Sequence, residues 1–264
     1  MVISNLRAFI GISGSLGGSR ALAHPEGLCA CDCGLGSAYE NYALLEPRDT
    51  GDTERLVAMG FDFFVSAGSP HIWPLFPNTP PHARALLEGR GARRDDTFYG
   101  MTARLTLEHK AEPGGTADGV WVSDPQGAGE WADAAWYGFD SGEPAPEGFV
   151  RFAREIALRD EVSLFGLRDP ESGLIAATGL LCAAGGTAGI YYVSSRPEFR
   201  RKGLGTVVMR ALMGRGCELG HENACLLATP AGRPLYRRCG FEESGAVEIM
   251  IHDGAATDGK RPIR

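Results

Sequence analysis

The spacing of apolar and polar positions changes repeatedly along the chain, and those changes mark its elements. In the first half, "GLCACDC" and "YALLE" are short apolar runs that predict strands. "DTERLVAMG" predicts a helix with Asp52 or Thr53 near its N-cap and Gly60 at its end. "FDFFVS" then predicts a strand, "PPHARALLEGRG" a helix opened by proline and closed by glycine, and "GMTARLTL" a strand of period two. The aromatic and proline-rich "SPHIWPLFPNTPP" reads as a loop. It is either a semi-rigid lip at a binding site or a surface loop packing its aromatics on its own domain.

In the second half, "GFVRFAREIALRD" has the spacing of an amphipathic helix, and "VSLFGLRD" and "LIAATGLLCAA" predict strands joined around the hairpin signal "PESG". "TAGIYYVS" predicts a third strand. A helix is expected from Gly203 to about Leu219, with Leu204, Val207, Val208, Ala211 and Leu212 at helical spacing. "ACLLA" follows as a buried strand, "GRPLYRRCG" as a short helix closed by Gly240, and "FEESGAVEIMI" as a strand or hairpin. This order predicts a mixed α/β (α+β) layer structure. Between the halves, "HKAEPGGTADG" reads as a linker. It sets expected domains at 1–112 and 118–254 with a tail at 255–264, and "DPQGAG" and "DSGEPAPEG" read as breaks between helices.

Composition changes this picture little. The 264 residues are 44% hydrophobic and 22% charged, ordinary for a globular chain. No apolar run approaches the roughly 20 residues of a membrane span. Ala21-Leu22-Ala23 mimics a signal cleavage site, but only Arg7 precedes it and the apolar stretch is broken by Gly and Ser. The odd count of seven cysteines suggests reduced thiols and a cytoplasmic protein. The net charge of −7 provides no excess of Lys and Arg for nucleic acid. It could favour a cationic substrate such as an amine, but solubility alone is the preferred explanation.

The chemistry concentrates in "EFRRKGLGT", at the turn from the strand ending near Ser194 into the helix beginning near Gly203. A helix N-terminus offers free N–H groups and the positive end of a dipole, and glycines let an anion approach closely. Arg200, Arg201 and Lys202 would add long-range attraction. A P-loop needs its lysine after the last glycine, whereas Lys202 precedes Gly203; the dinucleotide fingerprint needs a third glycine where Val208 stands.

The pattern R-x-x-G-x-G over Arg200–Gly205, preceded by "RPEF" and followed by "CLLAT" and "PLYRRCGF", resembles the GCN5-related N-acetyltransferase superfamily. Order, spacing and element types agree from about Val162 to Ile251. The resemblance implies a mostly antiparallel central sheet flanked by helices, with acetyl-CoA as co-substrate and no metal. The cofactor would lie where the strands ending at Ser194/Ser195 and Thr229 splay apart. Its pyrophosphate would rest on backbone N–H groups of Arg201, Lys202, Gly203, Leu204, Gly205 and Thr206, with Arg200 opening the motif. Its pantetheine arm would pair with Val193, Ser194 and Ser195, where a backbone N–H would polarise the thioester carbonyl. Tyr236 matches the family's general acid, and a thiol near ~8.5 and a phenol near ~10 are suitably matched. Thr229 stands where many members carry Asn, and Cys239 where Leu is common. The general base is not identified.

The first half lacks that loop and resembles the degenerate first half of tandem members. The implied activity is acetyl transfer to a primary amine of a small molecule or peptide, without nucleic-acid or membrane partners. Open alternatives are another acyl donor, a hydroxyl acceptor, or a CoA-binding sensor without turnover. Tyr191 and Tyr192 point to opposite faces, so at most one faces the cleft, and packing is the expected role of either. Cys29, Cys31 and Cys33 alternate along one strand, which suits a buried face better than a tetrahedral metal site, with His24 the sole further ligand considered. His221 is expected to cap a helix.

Overall fold

The computed structural model describes residues 1–46, 52–106, 118–139 and 142–254. Along the chain run α1 (Val2–Gly14), β1 (Arg20–His24), β2 (Leu28–Asp32), β3 (Tyr42–Leu45), α2 (Thr53–Val65), β4 (His71–Leu75), α3 (Ala83–Glu88) and β5 (Arg93–Arg104). Then follow β6 (Asp118–Val122), α4 (Pro125–Gly138), α5 (Glu147–Ile156), β7 (Val162–Arg168), β8 (Ile175–Ala184) and β9 (Thr187–Ser195). The last elements are α6 (Leu204–Glu218), β10 (Asn223–Ala228), α7 (Arg233–Arg238) and β11 (Glu242–His252). The expected linker lies largely, and the tail wholly, outside the described residues.

Two compact units emerge, and they are not consecutive in sequence. The motif-bearing unit contains Met1–Leu6 and Gly100–Ser244; the companion unit contains Arg7–Tyr99 and the segment from Gly245. Thus α1, β5 and β11 each contribute residues to both units. A division by chain order at about residue 112 does not anticipate this exchange.

In the motif-bearing unit, β6, β7, β8 and β9 form an antiparallel succession, and β10 joins β9 in parallel. The helix α6 supplies the crossover. Val208, Met209, Leu212 and Met213 are buried at helical spacing, which fixes the face that α6 presents to its core. The α5 helix similarly buries Phe149, Phe152, Ala153 and Ile156. Asn5 of α1 is buried, and its side-chain amide donates to the carbonyls of Cys182, Ala184 and Thr187 at 3.0, 2.7 and 3.1 Å.

The companion unit repeats the same order in shorter form. β1, β2 and β3 are antiparallel, α2 crosses over, and β4 pairs with β3 in parallel before β11 joins β4 antiparallel. Its core gathers Leu28, Val57, Phe61, Phe64 and Trp73.

Three sequence expectations are corrected here. "FDFFVS" is the second half of α2, not a strand: Gly60 does not end the helix but lies inside it, where a Cβ would collide with the Trp73 ring. "SPHIWPLFPNTPP" contains the fully buried strand β4. Pro74 is tolerated because β3–β4 pairing is confined to Tyr42 and Ile72, leaving β4 paired on one side beyond that point. "DPQGAG" starts α4: the Asp124 carboxylate accepts from the N–H groups of Gln126 and Gly127, and Pro125 opens the first turn. The N-terminal segment, for which the sequence reading named no element, is the helix α1, with Leu6, Phe9 and Ile10 buried.

Candidate active site

The two parallel strands of the motif-bearing unit separate as they run toward their C-terminal ends. Pairing between β9 and β10 is confined to Ala188–Ala224 and Gly189–Cys225, although β9 continues to Ser195 and β10 to Ala228. The expected splay is therefore present. Within it, β9 carries a bulge: Thr178 pairs with Ser194 but Leu180 pairs with Tyr191, so Tyr192 and Val193 face the single residue Gly179. Tyr192 takes φ +51°, unusual for a non-glycine residue. Its ring lies among Trp131, Phe139, Phe149 and Phe152, at centroid distances of 5.7–6.2 Å. Tyr191 goes the other way and donates its hydroxyl to Asn5 Oδ1 at 2.7 Å. Both tyrosines are thus engaged in structure.

From Ser195 a tight turn over Pro197–Phe199 leads to the basic run. Arg200 acts as a brace: its Nε donates to the Ser195 carbonyl at 3.2 Å and its Nη2 to the Gly138 carbonyl at 2.9 Å. Lys202 places its ammonium 5.1 Å above the Phe199 ring. Arg201 and Gly203 both adopt left-handed φ, +61° and +79°. This folds the loop back so that α6 begins without any side-chain cap. Among the described residues, the backbone N–H groups of Arg201, Lys202, Gly203, Leu204 and Gly205 have no acceptor; that of Thr206 bonds to the Gly203 carbonyl at 3.0 Å. So five of the six expected donors are open, and Thr206 is turned inward. The two glycines serve different ends. Gly203 permits the left-handed turn, whereas a Cβ on Gly205 would come 2.9 Å from Leu235, so Gly205 lets α6 pack on α7.

Beyond β10, Thr229 organises the entry to α7. Its hydroxyl and its carbonyl oxygen both accept from the Gly232 N–H at 3.1 Å. Glu243 holds α7 from the other side, paired with Arg233 and, at 2.7 Å, with Arg237. Tyr236 is 9% exposed, and its ring meets Phe241 edge-on at 6.2 Å. Burial, reinforced by the nearby Cys239, raises the phenol well above the ordinary tyrosine value, so it stays protonated at neutral pH. Because β9 and β10 are parallel, Val193–Ser195, the open N–H groups before α6 and the α7 segment all lie at one end of the strand pair. The sequence missed the bulge and Asn5, whose partners lie far along the chain, and the Glu243 clamp, which joins α7 to the start of β11.

The other candidates fall elsewhere. Cys29 and Cys31 lie on β2, whose five residues are all buried, and Cys33 just beyond it. Among the described residues no cluster of three His, Cys, Asp or Glu could hold a metal ion. His221 caps through its backbone, donating its N–H to the Gly216 carbonyl at 3.0 Å after Gly220 at φ +85°. "LFPNTPP" lines an open cleft of about 390 Å³ within the companion unit, together with Arg84, Arg94 and Glu248. No described helix is long and apolar enough to cross a membrane.

Comparison with known proteins finds the same pattern. The model of the acetyltransferase (GNAT) domain matches residues 163–243, a span holding β9, the basic loop and Tyr236. Residues 163–243 are a GNAT domain. The wider fold agrees. A GCN5-related N-acetyltransferase from Kribbella flavida superposes with TM-score 0.64 at 17% identity, over 96% of this chain and 97% of that one. An acetyltransferase of the GNAT family from Novosphingobium aromaticivorans, described as putative, gives 0.56 at 17%, over 94% of each. A tandem GNAT protein from the clavulanic acid biosynthesis pathway gives 0.55 at 15%, over 88% of this chain and 79% of that one. A search of the curated proteins found no match. The chain thus has the GNAT fold, mixed and mostly antiparallel, and the GNAT domain supports acyl transfer in general.

Proposed function

We propose that the GNAT domain transfers the acetyl group of acetyl-CoA to a primary amine by direct attack. The observation that carries this reading is the run of open N–H groups at Arg201–Gly205, wound by two left-handed residues onto the start of a 15-residue helix. Such a concave run of donors at a positive helix end suits a pyrophosphate. The splayed edge of β9 at Val193–Ser195 offers main-chain pairing to the pantetheine arm, as an added strand would.

The bound thioester supplies an activated acyl carbon and a thiolate leaving group. The chain's residues do the rest. A backbone N–H at the bulge donates to the carbonyl oxygen, where negative charge grows as the amine attacks. Tyr236 delivers its proton to the departing sulfur. Burial keeps the phenol protonated across the neutral range and makes it a weaker acid than free tyrosine, so it yields its proton only as charge develops on the sulfur. Arg200, tied to Ser195 and Gly138, holds the loop's geometry rather than meeting the phosphates with its bonded edge. Its charge and those of Arg201 and Lys202 draw the anion in. The thiol state of the cysteines fits work in the reducing cytoplasm.

The test is a panel of small amines, amino acids and peptides incubated with the protein and acetyl-CoA, with free CoA thiol as readout. At least one acceptor is expected to release thiol well above hydrolysis. Binding of acetyl-CoA with no thiol released by any acceptor would instead establish a CoA-binding sensor.

A further inference from the structure

The bulge in β9 is held by a chain of two hydroxyls that the proposed reaction has not yet used. Thr178 Oγ1 lies 3.1 Å from the Tyr192 carbonyl oxygen and 2.8 Å from Ser194 Oγ. A carbonyl can only accept, so Thr178 donates its one proton to Tyr192. The Ser194 hydroxyl then has its one proton to share between Thr178 Oγ1 at 2.8 Å and the Ala135 carbonyl of α4 at 3.4 Å, and the shorter contact is to Thr178. The result is a directed chain, Ser194 to Thr178 to the Tyr192 carbonyl. Thr178 is fully buried and Ser194 8% exposed, so water does not compete with it.

The peptide unit at the end of this chain is the one that carries the Val193 N–H. In a trans peptide the C=O and the following N–H point in opposite directions. The Tyr192 carbonyl is drawn toward Thr178 on β8. The Val193 N–H therefore points away from β8, on the side where β10 has separated from β9. Packing holds the bulge from both faces. A Cβ on Gly179 would lie 2.6 Å from Leu212 and 2.7 Å from Val208 of α6, and one on Gly138 would overlap Ser194 and come within 3.1 Å of the Ser195 nitrogen. Neither α6 nor α4 leaves the bulge room to relax.

We propose that Thr178 is a positioning residue for acyl transfer: it fixes and polarises the Tyr192–Val193 peptide so that the Val193 N–H is the donor to the thioester carbonyl, with Ser194 orienting Thr178. This rests on the acetyl-transfer reading given above. A hydrogen bond to a peptide carbonyl makes the N–H of the same unit a better donor. A left-handed Tyr192 is the strained conformation that such a device has to maintain.

Thr178→Val removes the hydroxyl at nearly constant volume, and Thr178→Ser keeps it. Three readouts separate the possibilities. First, amide hydrogen exchange on the protein alone should quicken at residues 191–195 in Thr178→Val but not in Thr178→Ser. Second, the infrared carbonyl band of bound 13C-labelled acetyl-CoA should move to lower frequency in the wild type and Thr178→Ser, and much less in Thr178→Val. Third, with any acceptor found in the panel, Thr178→Val should lower kcat by about tenfold to a hundredfold while KM for acetyl-CoA stays within about twofold. Ser194→Ala should have a smaller effect in the same direction. The proposal is overturned if exchange at 191–195 is unchanged in Thr178→Val, if its carbonyl band equals that of the wild type, or if Thr178→Ser is as impaired as Thr178→Val, which would mark a packing role. Failure of the wild type to bind acetyl-CoA would instead refute the acetyl-transfer reading, and the exchange experiment would still decide whether Thr178 holds the bulge.

Discussion

The β9–α6–β10 crossover of the GNAT domain and the β3–α2–β4 crossover of the companion unit follow one plan to different ends. In each, an antiparallel succession ends in a strand that leads through a helix to a parallel partner, and a six-residue helix follows. They differ at the three points where chemistry would occur. At the helix start, α6 has no side-chain cap and leaves N–H groups open, whereas α2 is capped by Asp52, whose carboxylate accepts from the Arg55 N–H at 3.1 Å. The companion unit has a built-in anion at the position where, in the proposed reading, the GNAT domain would receive one from outside. Along the preceding strand, β9 is bulged while β3 pairs with β2 in unbroken register from Leu28–Leu45 to Cys31–Tyr42. On the short helix, the fourth residue is Tyr236 in α7 and Leu86 in α3. A carboxylate, an unbroken ladder and an apolar side chain thus stand in the companion unit where the GNAT domain has open N–H groups, a bulge and a tyrosine, on the same topology.

The largest expected effect concerns the third difference. Tyr236→Phe should lower kcat by about a hundredfold, within the range for removal of a general acid, while acetyl-CoA affinity stays nearly constant. An unaltered rate would make Tyr236 as inert as Leu86. Next comes the helix start. Gly203→Val forces a β-branched residue to φ +79°, at a cost of roughly 1–3 kcal/mol, and should weaken acetyl-CoA binding by about tenfold or more as the loop reorganises. Calorimetry measures this directly.

Acidity offers a third separation, because two buried groups with large shifts, His71 and Glu40, lie in the companion unit. Burial lowers His71 from 6.5 to about 4, so the unfolded chain takes up its proton first and stability falls as pH drops through that window. Burial raises Glu40 from 4.5 to about 7, so stability falls as pH rises through that one. Each is worth roughly 3 kcal/mol at 1.36 kcal/mol per pKa unit, and between about pH 4.5 and 6.5 they oppose one another. His71→Phe should leave a thermal midpoint that falls with rising pH there, and Glu40→Gln one that rises. Neither should alter acetyl-CoA affinity at pH 7.5; a change in it would tie the companion unit to binding. The smallest effect is Asp52→Ala, expected to destabilise by about 1 kcal/mol through loss of the cap, again without effect on affinity.

Much of the GNAT half was legible in the sequence because its signals are local. R-x-x-G-x-G, the helical spacing after Gly203 and the "PLYRRCGF" segment each report on neighbours within a few residues. What escaped is long-range. Gly60 looks like a helix terminus until Trp73 is seen to occupy the space beside it, and Pro74 looks like a loop residue until β3 is seen to diverge. The charge of Arg200 is visible in the sequence, whereas its carbonyl partners, Ser195 and especially Gly138, are not. The exchange of segments between the units is invisible for the same reason. Nothing near Glu242 indicates that β11 begins in one unit and continues in the other.

The central claim is that the GNAT domain keeps an open anion cradle where the companion unit has filled its own. Calorimetric titration of acetyl-CoA into the wild type, Gly203→Val and Asp52→Ala tests it most directly. The account predicts one molecule bound per chain, affinity reduced about tenfold or more in Gly203→Val, and wild-type affinity and stoichiometry in Asp52→Ala. Absence of binding to the wild type, or full affinity in Gly203→Val, would contradict it.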